Sequence, residues 1–221
     1  MDAKKNSDRF DNKVFAARRQ HMVQAQIYSR GIRNRAVLEA FRKVPRHCFV
    51  PPESAACSYA DHPLPIASGQ TISQPYIVAY ILQALQLRPS DRTLEIGAGS
   101  GYQTALLAEL VNRLHSIEFF DNLATSAQSV LAQLNYTNVE IQLGDGSKGW
   151  PEHAPYDAIV GSAAAEIIPS ALIEQLAMWG RLIMPVGDKM QHLVLVTRTP
   201  EGTRQKLLVP VRFVPMQTTR N

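Results

Sequence analysis

Hydrophobic residues recur at helical spacing in the first part of the chain. Between residues 14 and 27 they fall three, four and seven positions apart, as on one face of a helix. The pattern returns in "NRAVLEAFRKVP", which Pro45 ends, and in "QPYIVAYILQALQL", which has Pro75 in its first turn. We therefore expect residues 1–90 to form an N-terminal helical cap.

From Asp91 onward, short β-rich runs alternate with helical patterns. The runs predicted as strands are "RTLEIG", "RLHSIEF", "VEIQLGD", "YDAIVGSA", "GRLIMPVG", "HLVLVTRT" and "LLVPVRFVPM". Between the fourth and fifth, "IPSALIEQLAMW" has the spacing of a helix. Such alternation predicts an α/β fold with a seven-stranded, mostly parallel sheet. Only "PEGT" separates the last two runs, so an antiparallel hairpin is expected at the sheet edge.

One segment fits neither pattern. "PLPIASGQTISQP", residues 63–75, has too many Pro, Gly and Ser residues for a strand, and it lacks the charges of an ordinary solvated loop. It directly precedes a predicted helix. Its composition is typical of a loop that carries function.

Composition and length favour a single globular domain over residues 1–221. The chain is 45% hydrophobic and 19% charged, and no apolar run approaches the roughly 18 residues that span a bilayer. The start, "MDAKKNSDRFDNK", has no apolar core of a secretory signal. The sequence therefore predicts a cytoplasmic protein that does not enter membranes.

Charge is unevenly distributed. The first fifty residues hold twelve Lys and Arg against four Asp and Glu, although the whole chain carries only +4. A basic end can bind nucleic acid or steer acidic substrates. A solvated helical face is the favoured interpretation, because the segment lacks the regular stacking platform of a nucleic-acid-binding module, and nucleic acid is not expected as a partner.

A glycine-rich turn supplies the first candidate chemistry. In "TLEIGAGSGYQTALL", a predicted strand runs through Gly97, Gly99 and Gly101 into a helix. Glycines allow a sharp bend and close backbone approach to a ligand, and the amides there favour a negative group. A tight structural turn is the simpler alternative.

Two acids follow at the ends of the next strands. Glu118 lies 21 residues after Gly97, where a carboxylate can accept both hydroxyls of a ribose. Asp145 and Gly146 end the third strand, at the same carboxyl edge of the sheet. The alternatives are a solvated acid for Glu118 and a turn-forming Asp-Gly pair for the other two.

The spacing of the glycines separates two cofactor classes. A dinucleotide site needs G-x-G-x-x-G or Ala at the last position, but residue 102 is Tyr. The compact G-x-G-x-G suits S-adenosylmethionine (SAM), which has a carboxylate and no diphosphate. An NAD-dependent oxidoreductase is thereby disfavoured. The six histidines show no metal spacing, so no metal is expected.

Residues 20–217 resemble the protein-L-isoaspartate O-methyltransferases. The resemblance lies in "KVPRHCFVP", "YADHPLPIASGQTISQPYIVA", "LEIGAGSGYQTALLA", "GDGSKGW", "LIMPVG" and "VRFVPM", in that order. It implies a Rossmann-like SAM-dependent methyltransferase fold and methylation of the α-carboxyl group of L-isoaspartyl residues in damaged proteins, which starts their repair. It also implies a monomer. The alternative is a SAM-dependent O-methyltransferase for a small carboxylic acid or a dedicated peptide partner.

The resemblance also implies roles for particular residues. The essential serine of the family corresponds to Ser73, for which capping of the following helix is the alternative role. Glu95 lies beside the glycine turn and is expected to contact the SAM amino group or polar backbone. The expected cofactor-binding residues are Gln70, Thr71, Ile72, Glu95, Gly97, Gly99, Ser100, Gly101, Glu118, Asp145 and Gly146.

Overall fold

In the computed structural model, residues 13–219 are described. Residues 1–12, which belong to the basic first fifty residues, lie outside them. The α-helices are α1 (Lys13–Met22), α2 (Arg35–Lys43), α3 (Pro75–Leu85), α4 (Tyr102–Ala108), α5 (Asp121–Gln133) and α6 (Ser170–Glu174). The strands are β1 (Leu64–Pro65), β2 (Thr71–Ile72), β3 (Arg92–Ile96), β4 (Arg113–Glu118), β5 (Val139–Leu143), β6 (Tyr156–Gly161), β7 (Leu176–Val186), β8 (Gln191–Thr199) and β9 (Gly202–Val211).

Strands β3 to β9 form one sheet in the order β5-β4-β3-β6-β7-β8-β9. The first five in this order, β5 to β7, pair in parallel. Parallel pairing is expected where crossovers connect strands that are consecutive in the chain. Strands β7, β8 and β9 are antiparallel neighbours, so two consecutive hairpins end the sheet. The predicted seven-stranded, mostly parallel sheet with an antiparallel edge hairpin is confirmed.

Two hydrophobic clusters lie on opposite faces of this sheet. Successive side chains of a strand alternate between faces, and Ala158 and Val160 join one cluster whereas Ile159 joins the other. The first cluster also contains the buried residues of α1, α2 and α3. The helical cap therefore shares its core with the sheet.

The predicted helix over "IPSALIEQLAMW" is wrong in its second half. Helix α6 ends at Glu174, and β7 begins at Leu176, which pairs with Tyr156 of β6. The register then shifts before Arg181, and Trp179 adopts a left-handed φ of +65° in this irregular stretch. Backbone pairing with β6 prevails over the helical spacing of the side chains.

The segment before α3 also differs from expectation. Although its composition argued against a strand, Leu64 pairs with Ile72 and Pro65 with Thr71 in a two-stranded antiparallel sheet. The Ile66 amide donates to the Gln70 carbonyl at 2.9 Å, which closes the loop between the two strands. Among residues 13–219, no helix has the length and apolar character needed to span a membrane.

Candidate active site

The glycine turn follows β3 and is held against the end of β4. The amide of Gly97 donates to the carbonyl of Ile117 at 2.7 Å. Gly97, Gly99 and Gly101 have φ values of +89°, +56° and +85°, where any side chain would be strained. The turn lines a pocket at the carboxyl edge of the sheet, where ligands of open α/β sheets bind.

Glu118 stabilises the middle of this turn by hydrogen bonding. Its side chain is buried, and its two carboxylate oxygens accept from the amide of Gly99 at 2.8 Å and from that of Phe120 at 2.9 Å. Glu118 also lines the pocket beside the turn. The sequence indicated its place but not its second task, which is to fix the glycine turn.

The pocket lies over the carboxyl ends of β3, β4 and β6 and encloses about 770 Å³, part of it open to solvent. Of the residues expected to bind the cofactor or substrate, it is lined by Gln70, Thr71, Ile72, Ser73, Gly97, Gly99, Ser100, Glu118 and Gly146. Glu95, Gly101 and Asp145 do not line it. The structure thus brings together segments that are far apart in the sequence.

Ser73 reaches the pocket from the small sheet. It follows β2 directly, and its carbonyl accepts a hydrogen bond from Arg46 Nη2 at 2.8 Å. Helix α3 has Gln74, not Ser73, at its N-cap position, and no side chain caps it. The capping alternative for Ser73 is therefore wrong, and within residues 13–219 its hydroxyl makes no hydrogen bond.

Glu95 lies one layer behind the pocket. Its side chain is fully buried and accepts from Thr104 Oγ1 at 2.6 Å, from Ser116 Oγ at 2.8 Å and from Gln103 Nε2 at 3.2 Å. Burial raises the pKa of Glu95 to about 7, although these hydrogen bonds oppose the shift. Because Gln103 lines the pocket, Glu95 acts on the pocket through that side chain.

Asp145 and Gly146 have separate structural tasks. The Asp145 carboxylate accepts from the amide and the hydroxyl of Ser147, at 3.0 and 2.6 Å, and likewise from those of Thr219, at 2.9 and 2.8 Å. A Cβ on Gly146 would lie 2.4 Å from Ile96 Cγ2. A glycine is required there because the chain passes directly over the end of β3.

The segment after β9 forms a wall that the glycine pattern did not indicate. The amide of Ala164 donates to the Val214 carbonyl at 2.8 Å, and the amide of Met216 donates back to the Ala164 carbonyl at 2.7 Å. Residues 214–217 line the pocket as a result. The "FVPM" motif was the available signal. Phe119, Phe120 and Ser162 also line the pocket, without a signal of their own.

A group of potential metal ligands lies at the opposite edge of the sheet. His115, Glu140 and His153 have ligand atoms within 4.8 Å of one another. The rings of His115 and His153 are stacked, with centroids 4.0 Å apart and planes inclined by 19°. Ring nitrogens bind metals in the ring plane, so these nearly parallel rings do not converge on one ion. The absence of a metal stays a prediction.

Residues 17–221 match the family described as Protein-L-isoaspartate(D-aspartate) O-methyltransferase (PCMT). The chain belongs to this family. A protein-L-isoaspartate O-methyltransferase of Synechococcus sp. (strain JA-2-3B'a(2-13)) is 51% identical over 210 residues, which cover 91% of this chain and 86% of that protein.

Solved structures agree with this assignment. A protein-L-isoaspartate O-methyltransferase has a TM-score of 0.81 at 26% identity, over 89% of this chain and 65% of that one. A second, from Plasmodium falciparum in complex with S-adenosyl-L-homocysteine, has a TM-score of 0.79 at 24% identity, over 93% of this chain and 99% of that one, and shows the common fold.

Family membership confirms the expected enzyme class and reaction: the protein is a SAM-dependent methyltransferase that acts on L-isoaspartyl residues. The dinucleotide alternative is excluded with it. The pocket fits SAM on its own evidence. It combines the strained glycine turn, the carboxylate of Glu118, the apolar side chains of Ile96 and Ile117, and a position at Gly146 where no Cβ can be accommodated.

Proposed function

We propose that this enzyme methylates the α-carboxyl group of L-isoaspartyl residues in damaged proteins and peptides, and that Ser73 positions that carboxyl group. One observation carries the proposal: Ser73, whose hydroxyl has no hydrogen bond within residues 13–219, lines the same pocket as the glycine turn. A free hydroxyl can donate to a carboxylate without adding a charge.

The chemistry requires no general base. A carboxyl group with an ordinary pKa near 4 is ionised at neutral pH and attacks without losing a proton. SAM, when bound, supplies an electrophilic methyl group on a cationic sulfur. The task of the protein is to hold the two partners in line and to exclude water. Ile72 and Val78, on the wall near Ser73, provide apolar surface for that exclusion.

We also propose that the cofactor is held by the residues expected from the sequence. Gly97, Gly99, Ser100, Glu118 and Gly146 line the pocket, as do Gln70, Thr71 and Ile72, which supports direct contact. For Gly101 the close approach to α5 supports a role in shaping the turn, since a Cβ there would lie 3.1 Å from Ala127 Cβ. Glu95 and Asp145 support the site through Gln103 and through Thr219.

The deciding experiment compares two peptides. Purified enzyme with labelled SAM is given an L-isoaspartyl peptide, its normal aspartyl twin and a free small carboxylic acid. We expect methyl esters that release methanol only with the isoaspartyl peptide. Equal labelling of the twins would refute the substrate proposal, and labelling of the small acid alone would establish the alternative substrate class.

A binding measurement tests the cofactor site separately. Glu118→Ala removes the acceptor of the Gly99 amide and should weaken SAM binding by about tenfold or more. Glu201→Gln, on an acid that is 73% exposed in the β8–β9 turn, is the matched control. Unchanged SAM affinity in Glu118→Ala would contradict the assignment.

Nucleic acid is not a proposed partner. Seven basic side chains between residues 13 and 50 already bond within the protein: Arg18, Arg19, Arg30, Arg33, Arg42, Lys43 and Arg46. Few are left to neutralise phosphates. We expect no salt-sensitive binding to DNA or RNA, measured by fluorescence anisotropy.

We further propose a monomeric, cytoplasmic enzyme that folds as a single methyltransferase domain. The family resemblance supports a monomer, and the core shared by cap and sheet supports a single domain. Light scattering after gel filtration should give the mass of one chain. Chemical unfolding should give one transition for both parts.

A further inference from the structure

Arg46 is a fully buried cation directly behind the pocket wall. It belongs to the 3-10 turn Arg46–Phe49, and its side chain is 0% exposed. Its Nε donates to the carbonyl of Ser58 at 2.7 Å and its Nη2 to that of Ser73 at 2.8 Å, while its Cζ lies 4.7 Å from the ring centroid of Tyr102. Its Nη1 is buried without a hydrogen-bond partner.

No carboxylate of the described part of the chain neutralises this guanidinium. None of the ion pairs formed among residues 13–219 includes Arg46. Burial lowers the pKa of Arg46 to about 10, so it is still charged at neutral pH. A buried charge without a counter-ion is costly to folding. Anchoring two carbonyls does not by itself require a charge.

The described residues that line the pocket include no cation. Among the described residues that line it, Glu118 is the only one with a charged side chain, and that charge is negative. The proposed substrate nevertheless brings a carboxylate into the pocket. Two contacts of Arg46, Ser73 and Tyr102, form part of the wall. Arg46 lacks a counter-ion among the described residues, and the lining of the pocket offers no cation to a substrate carboxylate. A single interaction between Arg46 and that carboxylate would satisfy both groups.

We propose that Arg46 is a positioning and specificity residue whose counter-ion is the substrate carboxylate. It fixes the backbone of Ser73, which orients the hydroxyl, and its charge favours a carboxylate over a neutral group. The proposal rests on the proposed function. Methyl transfer converts the anion into a neutral ester, so the attraction by Arg46 ends with the reaction and product release is favoured.

The test separates charge from anchoring. An L-isoaspartyl peptide and its α-carboxamide counterpart compete for enzyme loaded with S-adenosylhomocysteine. The wild type should prefer the carboxylate on the order of tenfold or more, and Arg46→Gln should lose this preference. Arg46→Lys keeps the charge but cannot reach both carbonyls in the same way, so it should keep the preference while kcat falls.

Arg181→Gln is the matched control. Arg181 also donates to two backbone carbonyls, those of Leu85 and Gln86, but it pairs with Asp91 and does not line the pocket. This variant should lose stability and keep the preference. A preference that survives in folded Arg46→Gln overturns the inference. If Arg46→Gln does not fold, the Lys variant decides: loss of the carboxylate preference in that variant, which keeps the charge, overturns the inference.

The two proposals fail differently. A wild type that methylates the isoaspartyl peptide but binds carboxylate and carboxamide equally refutes only the role of Arg46. A wild type that methylates no isoaspartyl peptide refutes the proposed function first.

Discussion

The carboxylate of Asp145 accepts hydrogen bonds from both the amide and the hydroxyl of Thr219, which lies 74 residues further along the chain. These bonds anchor the segment that carries the pocket-lining residues 214–217. Asp145 thereby closes the pocket without lining it.

Asp145→Ala should loosen this segment. Removing the acceptor of four hydrogen bonds should speed hydrogen exchange over residues 212–219 and weaken S-adenosylhomocysteine binding on the order of tenfold. Lys148→Ala, which removes only an exposed 3.2 Å contact with Thr219, is the control and should change little. Unchanged exchange in Asp145→Ala would show that other contacts hold the segment.

The same contact gives a pH dependence. Burial acts to raise the pKa of Asp145, but hydrogen bonds from Ser147 and Thr219 lower it overall. A depressed pKa in the folded state means that this contribution to stability is complete above the unfolded value, near 4, and is lost as pH falls through the folded value. Urea unfolding of wild type and Asp145→Ala should therefore converge below pH 4.

Ser73→Ala should separate catalysis from binding. Turnover should fall by about 100- to 1000-fold, the loss typical of removing one positioned donor. Because the hydroxyl has no partner among residues 13–219 and does not cap α3, the free energy of unfolding should change by less than about 0.5 kcal/mol. S-adenosylhomocysteine affinity should be unchanged, and the exposed Ser129 on α5 supplies an alanine control. Loss of cofactor binding together with turnover would assign Ser73 a structural role.

Glu95→Gln should stabilise the protein at alkaline pH. The folded-state pKa of Glu95 is about 7, above the ordinary value of 4.5, because burial disfavours the ionised form. Folded protein thus binds the extra proton, and wild-type stability decreases as pH rises from about 4.5 through 7. The advantage of the Gln variant in urea unfolding should grow over that range and level off above it. Glu201→Gln, on the β8–β9 turn, should show no such trend. If the stability difference between Glu95→Gln and wild type does not change with pH, Glu95 is not neutralised by burial.

Two glycines near the end of β5 make a matched pair. A Cβ on Gly146 would meet Ile96 Cγ2 at 2.4 Å, whereas a Cβ on Gly144 would meet only Ile117 Cγ2 at 3.8 Å, an ordinary contact. Gly146→Ala should therefore cost about 1 to 3 kcal/mol of stability and weaken cofactor binding. Gly144→Ala should be tolerated in thermal melts and binding alike. Equal effects of the two substitutions would refute the packing argument.

The features that could be predicted were those with a local signature. Hydrophobic spacing predicted the seven strands and their crossovers, and the glycine pattern predicted the turn whose left-handed Gly97 and Gly99 line the pocket. Glu118 was predicted because, in such folds, the acid that binds the ribose follows the glycine turn by about 20 residues, at the end of the next parallel strand.

The errors arose where distant contacts decided the outcome. Residues 176–179 have helical spacing, but Leu176 pairs with Tyr156 of β6, and the backbone therefore continues as a strand. Two strands of two residues each are too short for any periodicity, so the small sheet beside Ser73 gave no signal. The side-chain partners of Glu95 and Asp145 lie on other elements, and only the fold shows that both act from behind the pocket.

The wall at residues 214–217 follows every other pocket-lining segment in the sequence. During synthesis or refolding, the glycine turn, Glu118 and Ser73 can be in place before the last wall arrives. The binding pocket is then complete only when the whole described chain has folded. Cofactor binding in this enzyme should serve as a reporter of complete folding, appearing after the secondary structure and not with it.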